Sequence, residues 1–553
     1  MPVLFKTVSA MEKCFTDSAF ADIAEKKHGS ALLGEEYAFE LVLTSDDESS
    51  LPVIGAKLSV SSPLAEFVSV CEIASVPVRF AAYPWSDDDF LRKAPGLYPD
   101  LLIPLDSYST LFIRPGELHS YYVKIKLPET LPENVSAGDN TISFAVIQGG
   151  ATLAEADFTL RIIDKALPPQ TLLFTQWFHA DCIADYYSTG TFTEKHWEYI
   201  ANFMKTAAEN GINTILTPMF TPPLDTAVGL ERPTTQLADV YFEDGAWRFG
   251  FERLERWIKT AEACGITHFE ISHLYTQWGA AHAPKVMGWR DGRYSRLFGW
   301  DTDASSEEYR TFLREFIKAL ILKLDSLGVT ENTLWHISDE PNRDQLESYM
   351  KAKNQISDIL EARGLTTMDA LSDFDFYKTG AVTHPIPASN HIAPFIEAGV
   401  ENLWTYYCCG QTVNVSNRMI AMSMDRGRII GLQMWKYKIT GFLQWGYNFY
   451  NSQGSVHRVN PFLVTDGDFF TPAGDCYSVY PGENGVPLES LHLKCFTMAL
   501  TDMRALALAE KLTSREKVLE VIDPENSLTF SNKPVKPSEE LREKINELIE
   551  QAE

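Results

Sequence analysis

The stretch 333–342 reads TLWHISDEPN, a short apolar run that ends on two adjacent carboxylates, Asp339 and Glu340, followed by Pro341. The run has the length and composition of a buried strand, and the residues after it, SDEPNRDQLESYMKAKNQISDIL (338–360), have a helical pattern. A strand that leads through a loop into a helix is the repeating unit of an α/β fold. The stretch therefore predicts one such unit, with two acids in its loop.

The same alternation of strand and helix recurs from about residue 171 onward. Helical patterns such as SEEYRTFLREFIKALILKLDSLG (306–328) separate the strand candidates, and glycines stand where several helices would end. No glycine-rich phosphate loop follows the first strand, which argues against an open doubly wound sheet. Eight units predict a (β/α)8 TIM barrel over residues 169–511. The strand candidates are 172–178, 213–220, 268–275, 333–338, 366–372, 384–389, 402–408 and 441–447.

The two ends of the chain follow other patterns. In residues 1–168, short stretches such as YAFELVLTS (37–45) alternate apolar and polar residues between Gly, Pro, Asp and Asn clusters, which predicts an N-terminal all-β sandwich. The segment DKALPPQ (164–170) is expected to be the linker, because paired prolines end a strand. Residues 512–553 are charged with apolar residues at helical spacing, which predicts a short C-terminal helical extension.

Composition excludes several classes of partner. The 48 basic and 75 acidic residues give a net charge of −27, whereas nucleic acids and anionic membranes require a basic surface. No signal peptide pattern opens the sequence, no window is long and apolar enough for a membrane span, and the eight cysteines form no CxxC pair. We therefore expect a cytoplasmic protein that binds neither nucleic acid nor membranes and acts on a neutral ligand. The sequence does not predict an oligomeric state.

Acidic residues follow several of the predicted strands. In a barrel, functional residues gather where strands run out into the following loops. The end of the seventh strand, WTYYCCG, carries no acid, although many retaining glycosidases need a second carboxylate across the sugar from the first. The loop acids are Asp181 and Asp185 after strand one, Asp225 after strand two, Asp339 and Glu340 after strand four, and Asp373 and Asp375 after strand five.

The adjacent residues Asp339 and Glu340 suit two different catalytic roles. Successive strand residues point to opposite faces of the sheet. These two side chains therefore cannot lie on opposite sides of a single glycosidic bond. One acid could protonate a leaving oxygen while the other holds a substrate group that itself attacks, as in substrate-assisted hydrolysis of 2-acetamido sugars. The structural alternative is an Asp N-cap with an acid in the first helical turn.

Aromatic residues crowd the predicted strand ends, where rings could stack on the apolar face of a sugar. The alternative is that about half of them are core residues. His179, at the end of strand one, suits either a ligand contact or the core, whereas His336 is expected to be a buried, hydrogen-bonded core histidine. Trp289 and Trp300 could line the side of the site that binds the leaving group. The aromatic candidates for substrate binding are Trp177, Trp278, Trp404, Tyr406, Tyr407 and Trp445.

The sequence offers no metal or cofactor motif. The two histidines of HLYTQWGAAH (273–282) have no third ligand at a suitable spacing, and HWEYI (196–200) does not contain the second histidine of a zinc helix. No GxSxG nucleophile motif is present. We therefore expect no metal and catalysis without a cofactor.

Several motifs carry a resemblance to a known family. The run HISDEPN (336–342) resembles the catalytic-strand motif of the glycoside hydrolase family 123 catalytic domain. In the same order as in that family follow LWTYYCCGQ (403–411), MWKYKITGFLQWGYNFYN (434–451) and YPGENGVPLESLHLKCFTMALTDM (480–503). The resemblance implies a retaining β-N-acetylgalactosaminidase-like enzyme that acts on an oligosaccharide or glycoconjugate. Its nucleophile would be the acetamido group of the substrate.

The resemblance also implies roles for single residues. Glu340 would be the general acid/base, and Asp339 would orient the acetamido group and stabilise it as it becomes an oxazolinium ion. Tyr406 matches the family's tyrosine of strand seven and would donate a hydrogen bond to the acetamido oxygen. Trp445 matches the tryptophan of strand eight and would form the floor under the sugar.

The sequence departs from the family at His492, where an arginine is common, and at Thr405, where a second tryptophan is common; both departures bear on which sugar is bound. Two other functions stay open. A glycosidase of a sugar without the acetamido group would need a second carboxylate, with Asp181, Asp373 and Asp375 as candidates. A non-catalytic carbohydrate-binding barrel would bind sugar without turnover.

Overall fold

The computed structural model of the 553-residue chain describes residues 3–45, 51–365, 367–531 and 537–552. By its contacts the chain divides into two compact units. Unit 1 comprises Met1–Gln170, Thr412–Lys436 and Leu488–Glu553, and unit 2 comprises Thr171–Gln411 and Tyr437–Pro487. This division differs from the three consecutive domains expected from the sequence, because residues near the C-terminus bond with the N-terminal strands: His492 Nδ1 lies 2.7 Å from Asp100 Oδ1.

Unit 1 contains the predicted β-sandwich. Its strands are β1 (Val3–Ser9), β2 (His28–Leu33), β3 (Glu36–Ser45), β4 (Val53–Ser61), β5 (Val68–Val78), β6 (Gly96–Pro104), β7 (Leu111–Ile113), β8 (His119–Lys126), β9 (Gly138–Gln148) and β10 (Ala151–Ala166). They form two five-stranded sheets, of order β1-β3-β8-β5-β6 and β2-β10-β9-β4-β7. Apolar residues that alternate along each strand meet between the sheets, where the rings of Phe39 and Phe158 stack at 4.0 Å.

Each of the eight strands predicted for the second half of the chain contains an observed strand of unit 2. The strands of unit 2 are β11 (Leu173–Gln176), β12 (Thr214–Thr217), β13 (Asp239–Glu243), β14 (Ala246–Gly250), β15 (His268–Ile271), β16 (Val286–Arg290), β17 (Arg293–Phe298), β18 (Thr333–Trp335), β19 (Met368–Ala370), β20 (His384–Ile386), β21 (Trp404–Tyr406) and β22 (Gly441–Gln444). Residue 366, at the start of the predicted strand 366–372, lies outside the described residues.

The strands of unit 2 pair in three sheets. Six form one parallel sheet of order β18-β15-β12-β11-β22-β21, and β19 and β20 form a parallel pair. Single parallel bridges join Trp335 to Thr367 and Ala388 to Tyr406. The remaining strands form a sheet of order β14-β13-β16-β17, which comes from the long loops after β12 and β15 and was not predicted from the sequence.

The helices of unit 2 alternate with its parallel strands. They are α1 (Ala180–Tyr186), α2 (Glu194–Glu209), α3 (Glu252–Cys264), α4 (Glu307–Leu327), α5 (Leu346–Lys353), α6 (Ser357–Glu361), α7 (Phe374–Lys378) and α8 (Ala393–Glu397). The longest, α4, begins after Ser306, whose hydroxyl accepts the N–H of Tyr309, and ends at Gly328, which has φ 73°. The helix predicted directly after Asp339 appears instead as the shorter α5 and α6.

Unit 1 also holds the remaining helices: α9 (Met424–Arg428), α10 (Ile430–Lys436), α11 (Leu491–Leu512), α12 (Arg515–Ile522) and α13 (Ser538–Gln551). The apolar residues Leu541, Ile545 and Ile549 of α13 are buried in a hydrophobic cluster, as their helical spacing predicted. Arg542 on the same helix pairs with Glu35 of the sandwich at 2.6 Å. Among the helices of the described residues, none has the length and apolar character that crossing a membrane requires.

Candidate active site

A pocket of about 560 Å³ lies at the carboxyl ends of the parallel strands of unit 2. This volume is within the range of sites that bind a small ligand. The residues that follow β11, β12, β15, β18, β21 and β22 all contribute, so the pocket collects the loops that the barrel pattern singled out. It is lined by Trp177, Asp225, Thr226, Ala227, Gln277, Trp278, Asp339, Glu340, Ala370, Tyr406, Cys408, Cys409, Leu443, Trp445, Gln453, Gly454 and Phe470.

Asp339 and Glu340 both face this pocket from the loop after β18. The carbonyl of Asp339 accepts the N–H of Trp278 at 2.9 Å, and the N–H of Glu340 donates to the carbonyl of Ala370 at 3.0 Å. Glu340 has φ 42°, a left-handed conformation that costs free energy for a residue with a side chain. Two backbone hydrogen bonds therefore hold the pair in a strained loop whose side chains reach the pocket.

The structure rejects the interpretation of Asp339 as a helix N-cap. The cap of the following turn is Asn342, whose side chain accepts the N–H of Asp344. The side chain of Gln345 in turn accepts the N–H of Asn342 at 3.0 Å, which completes a capping box. Because Asn342 takes this role, the carboxyl group of Asp339 is left to face the pocket.

The carboxyl groups in the pocket influence each other's protonation. Partial burial, with the charges of Glu340 and Asp225, raises the pKa of Asp339 well above its usual range, and the charge of His336 opposes this. The raised pKa lets the carboxyl group of Asp339 keep its proton closer to neutral pH than an ordinary aspartate does.

Tyr406 contacts the predicted acid directly. Its hydroxyl donates to Glu340 Oε1 at 2.6 Å, and the ring is buried at the end of β21. Burial and the neighbouring Glu340 raise the pKa of Tyr406 well above its usual value, so the phenol keeps its proton. Tyr406 therefore fixes the orientation of the Glu340 carboxyl group.

Three of the predicted tryptophans line the pocket. Trp445 donates from Nε1 to Asp475 Oδ2 at 2.9 Å, and Trp177 donates from Nε1 to Glu270 Oε1 at 3.2 Å. These bonds fix both indoles, which are almost completely buried. Trp278 is 58% exposed, so it lies at the rim. The three rings give the pocket apolar surfaces of the kind that stack on sugars.

Three other predicted ligand contacts lie outside the lining. Trp404 packs against Gly441, where an added Cβ would fall 1.9 Å from the indole. Tyr407 alternates to the other face of the strand and contacts the ring of Phe442 at 4.8 Å. Trp404, Tyr407 and His179 therefore lie outside the pocket lining, because the packing of these side chains directs them elsewhere.

His179 supports the pocket from behind. Its Nε2 lies 3.0 Å from the carbonyl of Trp445, which can only accept, so Nδ1 is the acceptor for Arg232 at 3.0 Å. Burial and the neighbouring guanidinium lower the pKa of His179 to about 3, which keeps the imidazole neutral. His179 thereby links the strand-eight tryptophan to a buried arginine.

None of the second carboxylates proposed from the sequence lines the pocket. Asp181 forms a buried ion pair with Arg232 at 2.7 Å. Asp373 caps α7 by accepting the N–H of Asp375, and Asp375 pairs with Arg343 at 2.7 Å. The chain therefore uses these three acids in structural interactions. The tryptophans suggested for the leaving-group side also lie outside this pocket: the Nε1 of Trp300 donates to the carbonyl of Leu230, and Trp289 lies on β16.

Asp225 does line the pocket, although the sequence marked it only as a loop acid. Its φ is 46°, its N–H donates to Gln277 Oε1 at 2.6 Å, and its carbonyl accepts the hydroxyl of Ser455 at 2.7 Å. Among the described residues none donates a hydrogen bond to its carboxyl group. Burial, with the charges of Glu340 and Asp475, raises the pKa of Asp225 to about 7, and Arg232 opposes this. A left-handed turn residue gives no periodic signal, which is why the pattern analysis named Asp225 as a loop acid but gave it no role in the site.

His336 belongs to a buried charge network behind the pocket. With His273 and Asp369 it forms the one group of three potential metal ligands among the described residues, with ligand atoms within 4.8 Å of one another. However, its Nε2 lies 2.9 Å from Glu270 and its Nδ1 lies 3.5 Å from Asp369. Burial opposes a charged imidazole, yet the hydrogen bonds and charges of these carboxylates raise the pKa of His336 to about 10.

A metal ion would need the neutral form of that imidazole. Because His336 is held protonated between two carboxylates, the residues present do not fit a metal ion, and we interpret the group as an ion-pair network. The network agrees with the prediction that His336 is a buried, hydrogen-bonded core histidine.

Comparison with known proteins identifies the family. The family model "Glycoside hydrolase 123, catalytic domain" matches residues 177–509, more than half of the chain. A family 123 glycoside hydrolase from Clostridium perfringens, whose structure was analysed for glycolipid glycan hydrolysis, aligns with a TM-score of 0.75 at 14% identity. The alignment covers 100% of this chain and 98% of that chain, and shows a common fold.

Other comparisons add little. A family 2 glycosyl hydrolase from Bacteroides cellulosilyticus aligns at 9% identity over 77% of this chain and 45% of that chain, with a TM-score of 0.26 that is too low to support an argument. A search of curated proteins found no match. The family match over residues 177–509 is sufficient: the chain belongs to the glycoside hydrolase 123 family and is an enzyme that hydrolyses O-glycosyl bonds.

Proposed function

We propose that this enzyme is a retaining exo-glycosidase that releases a β-linked 2-acetamido-2-deoxy sugar, preferably N-acetylgalactosamine, from an oligosaccharide or glycoconjugate. The observation that carries the proposal is that Asp339 and Glu340 enter one pocket from the same loop. Adjacent residues cannot flank a sugar carbon as the acid and nucleophile of a two-carboxylate retaining enzyme do. They can act side by side, one on the leaving oxygen and one on the acetamido group.

We also infer that the parallel strands of unit 2 close into a complete (β/α)8 barrel. The single bridges Trp335–Thr367 and Ala388–Tyr406 support this, because they join each edge of the six-stranded sheet to the pair β19–β20. Closure would explain why loops from both ends of the sheet order contribute to one pocket.

The proposed mechanism has two steps. Glu340 gives its proton to the glycosidic oxygen while the acetamido carbonyl oxygen of the substrate bonds to the anomeric carbon, so the bond to the leaving group breaks and a cyclic oxazolinium ion forms. Asp339 accepts the hydrogen bond of the acetamido N–H and stabilises the positive charge. Glu340, now a carboxylate, takes a proton from water while the water oxygen bonds to the anomeric carbon. The bond from that carbon to the oxazolinium oxygen breaks, which restores the acetamido group and the original anomeric configuration.

Charges around the pocket act on Asp339. Burial, with the charges of Glu340 and Asp225, raises the pKa of Asp339, and the imidazolium of His336 opposes that rise. The hydroxyl of Tyr406 holds the Glu340 carboxyl group in place. A carboxylate at Asp339 and a carboxylic acid at Glu340 are the protonation states that the first step requires.

Other pocket residues would bind the sugar. The rings of Trp445 and Trp177 offer apolar surfaces deep in the pocket, and Trp278 offers one at the rim for the group attached to the sugar. Asp225 has a carboxyl group that faces the pocket without a hydrogen-bond donor from the described residues, so it suits the hydroxyl groups of a sugar ring.

A second candidate is a glycosidase of a sugar without the acetamido group, with Asp225 as the second carboxylate. The observation in its favour is that Asp225 shares the pocket with Glu340. Against it stands the pKa of about 7 for Asp225, because a nucleophilic carboxylate has to be ionised. The non-catalytic alternative is set aside by membership of an enzyme family.

The test compares 4-nitrophenyl N-acetyl-β-galactosaminide with 4-nitrophenyl β-galactoside as substrates of the wild type and of Asp339→Asn. We expect turnover of the acetamido substrate alone, and its loss in the variant. Asp373→Asn, which changes a helix cap outside the pocket, is the matched control and should keep activity. Cleavage of the plain galactoside that disappears in Asp225→Asn would overturn the proposal in favour of the second candidate.

We further propose a cytoplasmic location, which the eight cysteines support because all are thiols in the structure. Labelling of the chain in fractionated cells would test it, and recovery outside the cytoplasm would contradict it.

A further inference from the structure

Two adjacent thiols, Cys408 and Cys409, line the pocket that also contains Asp339 and Glu340. They follow β21, separated from its last residue Tyr406 by Tyr407, and no step of the proposed hydrolysis uses them. All eight cysteines lie in the described part of the chain, and these two are the ones in the pocket lining. Their position next to the proposed acid raises the question of what two neighbouring thiols bind.

A turn directs both thiols to the same side. The side chain of Gln411 accepts the N–H of Cys408 at 2.8 Å, and the N–H of Gln411 donates to the carbonyl of Cys408 at 3.2 Å. Cys409 and Gly410 are thus the central residues of a hydrogen-bonded turn. In an extended strand adjacent side chains point to opposite faces, whereas here both reach one pocket.

Both thiols border the same pocket from consecutive positions of this turn. A hydrogen bond with Cys409 is the largest of the causes that raise the pKa of Cys408 well above its usual value, followed by burial. The side chain of Gln411 donates in turn to Asn390 Oδ1 at 3.1 Å, so the turn that carries the thiols is itself held in place. The pair is therefore a preorganised two-sulfur donor set.

We propose that Cys408 and Cys409 form a bidentate site in the wall of the pocket for a monosubstituted trivalent arsenical, a soft thiophilic centre that takes two thiolates. The number and the placement of the sulfur donors favour a trivalent arsenical as the ligand. A structural zinc site needs four ligands, and among the described residues no third His, Cys, Asp or Glu joins these two in a metal-binding group. Mercuric ion prefers two sulfurs on opposite sides, whereas pyramidal arsenic holds them side by side.

A disulfide between these neighbours is the less favourable alternative. Consecutive Cα atoms across a trans peptide are about 3.8 Å apart, whereas disulfides usually join Cα atoms at about 4.4–6.8 Å. An inserted arsenic atom lengthens the bridge between the sulfurs and relieves this mismatch. It also needs no oxidant, because arsenic keeps its oxidation state.

The reaction balances without any other reagent. Each thiol transfers its proton to the oxygen of the arsenical, one water leaves, and two arsenic–sulfur bonds replace the bonds between arsenic and oxygen. Because the pKa of Cys408 is raised, little thiolate is present at neutral pH, so the bridge should form faster as the pH rises. The bound group would fill space beside Tyr406 and stop hydrolysis.

The experiment uses the reduced full chain with phenylarsine oxide as the probe, and native mass spectrometry as the readout. We expect one adduct on the wild type whose mass corresponds to the arsenical minus one water. Cys408→Ser and Cys409→Ser should each lose it, and the half-buried, solitary Cys264 gives the matched control Cys264→Ser, which should keep it. Peptide mapping of the wild-type adduct locates the arsenic without depending on how the variants fold.

Hydrolysis is the second readout. We expect phenylarsine oxide to abolish hydrolysis by the wild type, and 2,3-dimercaptopropanol, but not a monothiol, to restore it. Arsenic mapped to another peptide, or a wild type that reacts only after unfolding, would overturn the proposal. The mass measurement does not depend on which sugar the enzyme cleaves, so a failure here is distinguishable from a failure of the proposed function.

Discussion

Two groups of carboxylates in unit 2 differ in what surrounds them. The first is buried behind the pocket, where Glu270 and Asp369 lie on either side of His336. Glu270 also accepts the indole N–H of Trp177 at 3.2 Å, and Asp369 accepts the hydroxyl of Tyr349 at 2.5 Å. Each of these carboxylates therefore has a cation nearby and further hydrogen-bond donors, as buried charges require.

The second group faces the pocket. The charge of Glu340 raises the pKa values of Asp225 and Asp339, and the charge of Asp225 also raises the pKa of Asp339. Asp225 and Glu340 both occupy left-handed backbone conformations. A protein that placed these acids for stability alone would pair them with cations and relax their backbone.

The comparison distinguishes acids whose interactions stabilise the folded state from acids that face the ligand pocket. Carboxylates of the first kind are satisfied within the chain, so removing their partner costs stability. Carboxylates of the second kind form no ion pair with the described residues, so removing them costs activity and leaves stability equal or higher. The following variants test this distinction from both sides.

The largest effect is expected for Glu340→Gln. Without a general acid, kcat/KM should fall by about 10²–10⁴ for a phenyl glycoside, whose leaving group needs a proton. It should fall far less for a 2,4-dinitrophenyl glycoside, whose leaving group departs as an anion. Steady-state kinetics on both substrates measure the difference. Glu347→Gln, an exposed glutamate of α5, is the control with unchanged rates, and equal losses on both substrates would remove Glu340 from the role of acid.

His336→Gln should destabilise the fold by about 3–5 kcal/mol at pH 7, because it leaves two buried carboxylates without their cation. The folded pKa of His336 is about 10, above its ordinary 6.5, so its contribution is complete below pH 6.5 and is lost as the pH rises through 10. Urea unfolding should therefore show a difference between wild type and variant that shrinks from pH 7 to pH 10.

The control for that measurement is His391→Gln, which changes an exposed histidine. It should leave the free energy of unfolding unchanged. A His336→Gln variant as stable as the wild type at pH 7 would contradict the view that the buried acids depend on this imidazolium.

Asp225→Asn should stabilise the fold by about 1–3 kcal/mol at pH 8, after allowance for solvent in the pocket, and lower kcat/KM. The folded pKa of Asp225 is about 7, above its ordinary 3.8, so ionising this carboxyl group costs stability as the pH rises from 4 through 7. Thermal unfolding should show a gain for the variant at pH 8 that disappears near pH 4.

Asp244→Asn is the matched control, because Asp244 has φ 51° and is exposed. It separates the preference of asparagine for left-handed backbone from the loss of the carboxylate. If Asp225→Asn gains no more stability at pH 8 than Asp244→Asn does, the carboxyl group of Asp225 is satisfied in the free enzyme.

The smallest effect is expected for Trp278→Ala. Loss of a stacking surface at the rim should raise KM by a factor that corresponds to about 1 kcal/mol, with kcat unchanged. Trp289→Ala removes an indole outside the pocket that is 39% exposed, and should leave both constants unchanged. A fall in kcat without a change in KM would instead place Trp278 in the chemical step.

The sequence predicted the parts of the fold that depend on periodic patterns. All eight strands of the second half contain an observed strand, and the sandwich and the terminal helix lie where alternation and helical spacing placed them. The sheet that contains β13 and β16 was missed, because its strands lie in loops of mixed composition. The grouping of α11 with unit 1 depends on contacts between distant segments, which no local pattern encodes.

The site was predictable where strand position decides it. Tyr406 ends β21, Trp445 directly follows β22, and Asp339 and Glu340 follow β18 after three further residues. All four line the pocket. Trp404 shares a strand face with Tyr406 but begins the strand, about 7 Å from its carboxyl end, so it packs within the fold instead.

Asp225 could not be placed from the sequence, because a left-handed turn decides where its side chain points. The same holds for the thiols of Cys408 and Cys409, whose common direction comes from a hydrogen-bonded turn rather than from strand alternation. Positions of this kind depend on individual hydrogen bonds, which composition and periodicity do not report.

The most direct test of the central claim measures kcat/KM for galactosaminides that carry N-acetyl, N-fluoroacetyl, N-difluoroacetyl and N-trifluoroacetyl groups on one leaving group. Each fluorine withdraws electrons from the carbonyl oxygen and weakens it as a nucleophile. If the acetamido group attacks while Asp339 holds it, kcat/KM falls steeply and steadily along the series. Rates that stay nearly constant would show that the acetamido group does not attack, and would point to Asp225 as the nucleophile.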